Sequence, residues 1–204
     1  MLCPECKSAA PGGSLCPRCG SRVPEREIFG GQGGHYLAVL AGLSAVLFLA
    51  FSLIVGKRLG FAAAFRAFYG SNWFWVCLII SLLPMGIGFY YWLLLRDEEI
   101  TVTDEGISRR SHWGHEALAW NEVEAFVRQP ILFRQTRLGR ISGLSRFFTQ
   151  RKIVAKLPAI RYELIGRADA NGQRTVMSLE PGTIDAMDWL LQIIEERVGP
   201  PQDA

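Results

Sequence analysis

The chain has 204 residues, half of them hydrophobic, and a formal net charge of +3 at pH 7. So small a charge argues against nucleic-acid binding as its main activity, because phosphate contacts need many basic side chains. The hydrophobic residues are concentrated in two runs, 36–55 and 73–95, that contain no Asp, Glu, Lys, Arg or His. A helix of about 20 apolar residues crosses the hydrocarbon core of a bilayer, so both runs predict transmembrane helices.

The two runs organise the rest of the chain. They predict a cysteine-containing segment at 1–22, a glycine-rich flexible linker at 23–35, a transmembrane hairpin at 36–95 and a folded domain at 97–198. Only the last segment is long enough to bury a core without outside help. The first segment would need a staple such as a metal ion.

Four of the five cysteines form two C-x2-C pairs with nine residues between them: Cys3, Cys6, Cys16 and Cys19. Four thiolates in this spacing are a preferred structural site for zinc, and a filled set leaves no position for a catalytic water. Zinc is therefore the expected cofactor, and it is expected to be structural. Two disulfides or a redox pair are the alternatives; disulfides need an oxidising compartment, and a redox pair needs a thioredoxin-like context that segment 1–22 is too short to supply.

The two C-P-x-C turns resemble the short zinc ribbons found at the start of many bacterial membrane proteins. In that pattern a glycine commonly follows each turn. Gly20 follows Cys19 here, but Lys7 follows Cys6. This departure leaves the four ligands intact.

Two crossings would place both termini on the same side of the membrane. Reduced thiolates favour the cytoplasm, and the positive-inside rule agrees. Six basic residues flank the hairpin and three lie in its connection: Arg18, Arg22, Arg26, Arg96, Arg109 and Arg110, against Lys57, Arg58 and Arg66. The expected location is the bacterial inner membrane, with cytoplasmic N- and C-termini.

The connection at 56–72 is rich in aromatic residues at near-helical spacing. It is predicted to be a short helix in the far membrane interface, or else a simple aromatic loop at the membrane rim. Small residues form a face on each apolar run: Ala38, Gly42 and Ala45 on the first, Gly86 and Gly88 on the second. Such faces allow close helix packing, either within the hairpin or in a homo-oligomer. Because the runs hold no ionisable group, transport by these helices alone is not expected.

After the second run the hydrophobic pattern changes to the alternation typical of strands. Strands are predicted at 99–103, 107–113, 123–127, 160–168 and 173–179. Asn171-Gly172 lies between the last two, and this dipeptide is a strong hairpin signal. An amphipathic helix is then predicted from Thr183, as its N-cap, to about Val198.

Two short motifs in this segment carry a family resemblance. The sequence ITVTDEGI at 100–107, followed by AWNEVEAF at 119–126, resembles the pleckstrin-homology-like (PH-like) domains of bacterial membrane proteins. The resemblance covers 97–198 and implies an antiparallel β-barrel or sheet capped by the C-terminal helix. Those relatives commonly follow one or two membrane helices. The predicted fold class is thus an α+β membrane protein with a zinc ribbon, a two-helix hairpin and a PH-like domain.

One stretch of the C-terminal segment is basic, with no acidic residue between 129 and 152. Its basic residues are Arg134, Arg137, Arg140, Arg146, Arg151 and Lys152. Interleaved apolar side chains make it a predicted contact for anionic lipid headgroups or a protein partner. The alternatives are a flexible juxtamembrane loop, or a strand pair with solvated arginines. Nucleic acid is not an expected ligand, because the remainder of the domain is acidic.

No motif for catalysis stands out in the sequence. The H-x-x-H of His112 and His115 falls at a predicted hairpin turn, where polar residues are ordinary. We therefore expect a non-catalytic membrane-anchored scaffold that contacts an unknown protein partner, anionic lipid or both. The alternatives are a subunit of a membrane enzyme complex and a membrane-tethered regulator that grips a soluble partner through the zinc ribbon.

Overall fold

The architecture comes from a computed structural model, which describes residues 1–59, 72–112, 114–132, 135–136, 158–168 and 172–203. The chain divides into two compact units. The first combines Met1–Gly31 with Asp97–Ala204, and the second is Gln32–Arg96. The described residues contain three α-helices and two β-sheets, so the mixed α+β class is confirmed.

The second unit consists of two helices, α1 at Gly33–Leu59 and α2 at Asn72–Leu95. Both are long and apolar enough to cross a membrane. The buried share is only 6% in the apolar stretch of α1 and 17% in that of α2, so a protein core does not surround them. Helix α1 extends four residues beyond its predicted end, and 60–71, most of the predicted connection, lie outside the described residues.

Small residues bring α1 and α2 close together. A Cβ atom added to Gly88 would lie 3.0 Å from the Cβ of Leu40 and 3.2 Å from the Cα of Leu37. By contrast, a Cβ on Gly42 or Gly86 would meet nothing within 4 Å. Gly88 therefore serves packing within the hairpin, whereas the other two glycines face outward.

A hydrogen bond also joins the two helices. The backbone N–H of Met85, which follows Pro84, donates to the hydroxyl of Ser44 over 2.9 Å. Ser44 is buried, with 5% of its surface exposed. In an apolar setting this bond satisfies a donor next to the proline inside the helix.

We expect the substitution Gly88→Leu to disrupt the hairpin. The larger side chain would push Leu37 and Leu40 away and separate the helices, so the melting temperature of the detergent-purified protein should fall by several degrees. Gly86→Leu is the matched control, because it adds the same side chain two residues away in open space. Equal melting temperatures for the two variants would contradict this packing.

The first unit contains two four-stranded sheets. One has the order β1-β2-β3-β4, with β1 at Arg26–Gly30, β2 at Glu99–Thr103, β3 at Gly106–Ser111 and β4 at Gly114–Ala119. The other has the order β7-β6-β5-β8, with β5 at Val123–Leu132, β6 at Pro158–Ala168, β7 at Arg174–Leu179 and β8 at Gln202–Asp203. All neighbours are antiparallel except β5 and β8, which are parallel. Over the described strands the sheets stay open and do not close into a barrel.

Buried and partly exposed side chains alternate along the first predicted strand, as its sequence pattern indicates. In β2, Ile100 and Val102 are fully buried, and the residues between them are partly exposed. They join one hydrophobic cluster with residues of the second sheet such as Leu164 and Met177. Leu2 of segment 1–22 and Val23, which follows that segment, belong to the same cluster.

An ion pair lies inside this unit. Arg109 of β3 is 1% exposed, and its Nε donates to Oε1 of Glu98 over 2.6 Å. The same guanidinium also donates to the backbone carbonyl of Ser178 in β7. Arg109 therefore connects the two sheets through a buried polar contact.

Helix α3, at Met187–Val198, begins later than the sequence predicts. Thr183 is not its N-cap; its hydroxyl donates to the carbonyl of Glu180 over 2.8 Å, and the cap residue is Ala186, in a left-handed conformation. The residues between Pro181 and the helix form turns and not the predicted first part of the helix. The buried face of α3 is Met187, Leu190, Ile193 and Ile194.

Three strands lie where the sequence predicts none: β1, β4 and the two-residue β8. Part of the predicted linker 23–35 is strand β1, whose five residues pair with β2 from Arg26↔Thr103 to Gly30↔Glu99. Pairing satisfies the edge groups of β2, and Phe29 is buried in the core. Strand β4 was not predicted because its sequence, GHEALA, has little strand character of its own. Strand β8 has only two residues, too few to show an alternating pattern.

Candidate metal centre

The four predicted ligand cysteines lie together. Their Sγ atoms are all within 4.8 Å of one another. Across the two pairs, Cys3 and Cys19 are 3.5 Å apart, as are Cys6 and Cys16. A tetrahedron with metal–sulfur bonds of about 2.3 Å has edges of about 3.8 Å, so the cluster fits a tetrahedral ion. The separations are too long for a disulfide, whose sulfurs are about 2.05 Å apart.

A short internal repeat builds this cluster, and our sequence reasoning missed it. The segments LCPECKSAAP at 2–11 and LCPRCGSRVP at 15–24 are identical at six of ten positions. Their offset of 13 residues relates Cys3 to Cys16 and Cys6 to Cys19. The signal was available as self-similarity within the segment.

The backbone follows the same repeat. Cys3 N–H donates to the Ser8 carbonyl over 3.0 Å, and Cys16 N–H donates to the Ser21 carbonyl over 2.8 Å. The residue after each second cysteine donates to the carbonyl of the first cysteine over 2.9 Å in both halves. Each half is thus a tight loop that turns its two sulfurs inward.

Lys7 and Gly20 occupy the same place in this repeat, and both have positive φ, of 57° and 77°. Glycine adopts this conformation without penalty, whereas a lysine pays about 1 kcal/mol. The Lys7 ammonium lies 6.0 Å from the centre of the Trp189 ring on α3. A contact at that distance offsets part of the conformational cost. This accounts for a lysine at a position that favours glycine.

Hydroxyl and backbone donors surround the sulfurs. The Ser8 hydroxyl, with the backbone N–H groups of Arg18 and Cys19, lowers the pKa of the Cys16 thiol to about 6. The hydroxyl and N–H of Ser21 lower the pKa of Cys19. Donors placed in this way stabilise the thiolate form that a metal requires.

Cys3 behaves differently in the same cluster. The backbone N–H of Cys6 lowers the pKa of Cys3, but burial and the hydrogen bonds shared with the neighbouring thiols outweigh it and raise the pKa to about 11. Hydrogen bonds join the thiols in two pairs, Cys3 with Cys19 and Cys6 with Cys16. A bound cation would replace the protons of these bonds and stabilise the thiolates.

The cysteine segment is fastened to the sheets through Asp104, in the turn between β2 and β3. Oδ1 of Asp104 accepts a hydrogen bond from the Met1 ammonium over 2.7 Å, and Oδ2 accepts one from the Gly12 N–H over 2.6 Å. Arg197 near the end of α3 donates to the same carboxylate. One carboxylate thus joins the cysteine segment, the β2–β3 turn and α3.

These partners change the acidity of Asp104. Burial raises its pKa, but the hydrogen bonds and charge of the Met1 ammonium, together with Gly12 and Arg197, outweigh burial and lower the pKa to about 2. A lowered pKa means that the charged carboxylate stabilises the fold. This stabilisation is complete above the ordinary pKa of 3.8 and is lost as the pH falls towards 2.

We expect Asp104→Asn to loosen the cysteine segment from the sheets. At pH 7 the Gly12 amide should exchange with deuterium at least several-fold faster than in the wild type, because its charged acceptor is gone. Glu105→Gln is the control, since it removes the same charge from an adjacent exposed side chain. Equally faster exchange at Gly12 in both variants would contradict this role of Asp104.

The centre is built from the cysteines alone among the predicted site residues that the structure describes. The basic residues Arg134, Arg137, Arg140, Arg146, Arg151 and Lys152 all lie outside the described residues. His112 and His115 are exposed, and within the described ranges the four cysteines are the metal-compatible cluster found. Cys77, the fifth cysteine, lies in α2.

Fold and site together define a mixed α+β chain with a four-cysteine cluster and two helices apolar enough to span a membrane. No protein-family model, curated protein or solved structure matches the chain.

Proposed function

We propose that this protein is a non-catalytic interaction scaffold anchored in a bacterial inner membrane by α1 and α2. One observation carries the proposal: the cysteine segment precedes the two apolar helices, the sheets follow them, and yet both belong to one compact unit. Two crossings return a chain to the side on which it began. A membrane hairpin therefore lets the two parts fold together.

The exposed apolar surfaces of α1 and α2 support this anchoring. Bilayer hydrocarbon accepts such surfaces, whereas water penalises them by about 25 cal/mol for each Å². The reduced cysteines and the distribution of basic residues favour the cytoplasm for the folded unit and both termini.

We assign zinc as the metal of the cysteine cluster, with Cys3, Cys6, Cys16 and Cys19 as its ligands. Four thiolates in a tetrahedron are typical of structural zinc. When bound, the ion would supply cross-linking of the two halves of the repeat. We call residues 1–22 with this ion the ribbon.

For the sheets and α3 we propose a PH-like interaction domain. Two meanders, β2-β3-β4 and β5-β6-β7, followed by a helix support that assignment. Its proposed ligand is a protein partner, anionic lipid headgroups or both, and the basic residues of 134–152 are the proposed contact. The outward face of Ala38, Gly42 and Ala45 is a proposed contact for self-association.

A cavity beside the ribbon supports a non-catalytic role. It measures about 450 Å³ and is lined mainly by apolar side chains of the ribbon and α3. Its charged groups include Asp104 and Arg197, which already pair with each other. Groups held in this way are not poised for proton transfer.

A second candidate function is a tethered regulator that grips a soluble partner through the ribbon. It is favoured by the exposure of Leu15, an apolar side chain on the ribbon surface. A subunit of a membrane enzyme complex is the remaining alternative.

The membrane arrangement is tested by cysteine labelling in intact cells. In a Cys77→Ala background, Ser71→Cys should react with an impermeant maleimide added outside, whereas a cysteine added after Ala204 should react only after lysis. Labelling of the C-terminal cysteine in intact cells would overturn the orientation. Extraction of the protein without detergent would overturn the anchoring.

Lipid contact is tested by native mass spectrometry of the full chain. Replacing Arg134, Arg137 and Arg140 with glutamine should reduce the anionic lipid that copurifies. The matched control replaces Arg110, Arg128 and Arg167, which are exposed elsewhere on the domain. Equal lipid loss in both variants would remove the case for the basic segment and leave a protein partner as the proposed ligand.

A further inference from the structure

The two halves of the ribbon have the same fold but different surroundings. In the first half, Leu2 is only 5% exposed and lines a cavity with Ile193 and Glu196 of α3. In the second half, the equivalent Leu15 is 69% exposed. One copy of a repeated surface is therefore covered by a helix, and the other is open.

The backbone bonds that support each leucine are also equivalent. Leu2 bridges Ala9, and Leu15 bridges Arg22, both in the antiparallel sense. The Ala10 N–H donates to the Met1 carbonyl over 3.0 Å, and the Val23 N–H donates to the Ser14 carbonyl over 2.9 Å. Leu15 thus projects from a scaffold built in the same way as the scaffold that holds Leu2 next to α3.

The helix that lies beside the first half is amphipathic and partly acidic. Next to Leu2 it places Glu195 and Glu196 along with apolar Ile193. Lys7 of the ribbon reaches over Trp189 of the same helix. The first half thus pairs one leucine and one cation with an apolar and acidic helix surface.

The open second half has stronger charge complementarity to such a helix. It carries Arg18 and Arg22, both exposed, where the first half has Glu5 and Ala9. No acidic residue lies between 14 and 24. A leucine flanked by two arginines suits a helix that presents apolar and acidic side chains together.

We propose that the face formed by Leu15, Arg18 and Arg22 binds an acidic amphipathic helix of a partner protein. We call it the second ribbon face. The partner helix lies on it as α3 lies beside the first half. This inference rests on the proposed interaction function and names the site and the chemistry of its partner.

The arginines have one competing role, which is to offset the negative charge of four thiolates around a divalent ion. That role needs neither an exposed leucine nor a helix. A substitution at Leu15 that leaves all charges in place therefore separates the two explanations.

The test uses the protein's own helix as the probe. A fluorescent peptide with the sequence of 187–198, MDWLLQIIEERV, is titrated with the full-length protein in nanodiscs, and its anisotropy is measured. We expect saturable binding that weakens with salt. Leu15→Ser should weaken it roughly tenfold, the effect of losing one partly buried leucine. Arg18→Gln with Arg22→Gln should weaken it and flatten the salt dependence.

The matched control is Ile28→Ser, which removes another exposed apolar side chain of the same unit, 51% exposed on β1. It should leave peptide binding unchanged. Circular dichroism and metal content must match the wild type for each variant.

Three outcomes would overturn the proposal. The peptide fails to bind; it binds equally to Leu15→Ser, as it would by displacing α3 beside Leu2; or Leu15→Ser converts a dimer to a monomer, which would make a second copy the occupant. Each leaves the membrane arrangement and lipid contact untouched, because those experiments do not involve the second ribbon face.

Discussion

Cys16→Ser is expected to abolish stoichiometric metal binding and to unfold the ribbon at room temperature. Binding of zinc to a four-cysteine site contributes on the order of 10–16 kcal/mol near pH 7, and a segment this small cannot build a core of its own. Cys16 is 2% exposed, and its sulfur lies 3.5 Å from that of Cys6. A hydroxyl at this position cannot replace the thiolate.

The effect should reach beyond the ribbon. Leu2 of the ribbon and Val23 just after it belong to the core cluster of the sheets. An unfolded ribbon would withdraw Leu2 from that core. We therefore expect the melting temperature of the folded unit to fall by about 10 °C, equivalent to ~3 kcal/mol in a unit of this size.

Metal analysis and thermal unfolding of the full-length protein check this expectation. Cys77→Ala is the control, since it removes a cysteine that lies in α2. A chelator should reproduce the effect of Cys16→Ser in the wild type. Undiminished metal content or an unchanged melting temperature in Cys16→Ser would show that the cluster does not hold the fold.

Arg109→Met is expected to destabilise the folded unit by about 3–5 kcal/mol, the cost of removing one partner of a buried ion pair. The Glu98 carboxylate is 4% exposed and would stay in the interior without the arginine. The carbonyl of Ser178 would lose the same donor. Chemical denaturation measures the loss as a lower midpoint with the same slope.

A double variant isolates the charge effect. Glu98→Gln combined with Arg109→Met removes both charges and should recover part of the lost stability. Arg110→Met is the control, because Arg110 neighbours Arg109 but is exposed and pairs in register with His115. If Arg110→Met costs as much as Arg109→Met, the buried pair is not the source of the effect.

Local sequence patterns predicted the parts of the fold that local physics determines. Strand 99–103 was predicted at its observed bounds, because alternating Ile100 and Val102 commit one face to the core. The apolar helices and the metal-compatible spacing of the cysteines follow from composition and short-range geometry, and both are confirmed. Such features depend on residues that are neighbours in the chain.

Features that depend on distant partners were not predictable in this way. Strand β1 exists because the edge of β2, some 70 residues away, offers it hydrogen bonds. Asp104 has the sequence signal of an ordinary turn residue, but its carboxylate binds the start of the chain. Leu2 is buried whereas the equivalent Leu15 is exposed. This difference depends on the position of α3, which no local pattern encodes.

X-ray absorption spectroscopy of the purified full-length protein tests the central claim most directly. We predict one zinc ion per chain with four sulfur ligands at about 2.3 Å. Nitrogen or oxygen ligands in place of sulfur, or a metal-free protein with oxidised cysteines, would contradict the claim that a thiolate-bound ion builds the ribbon.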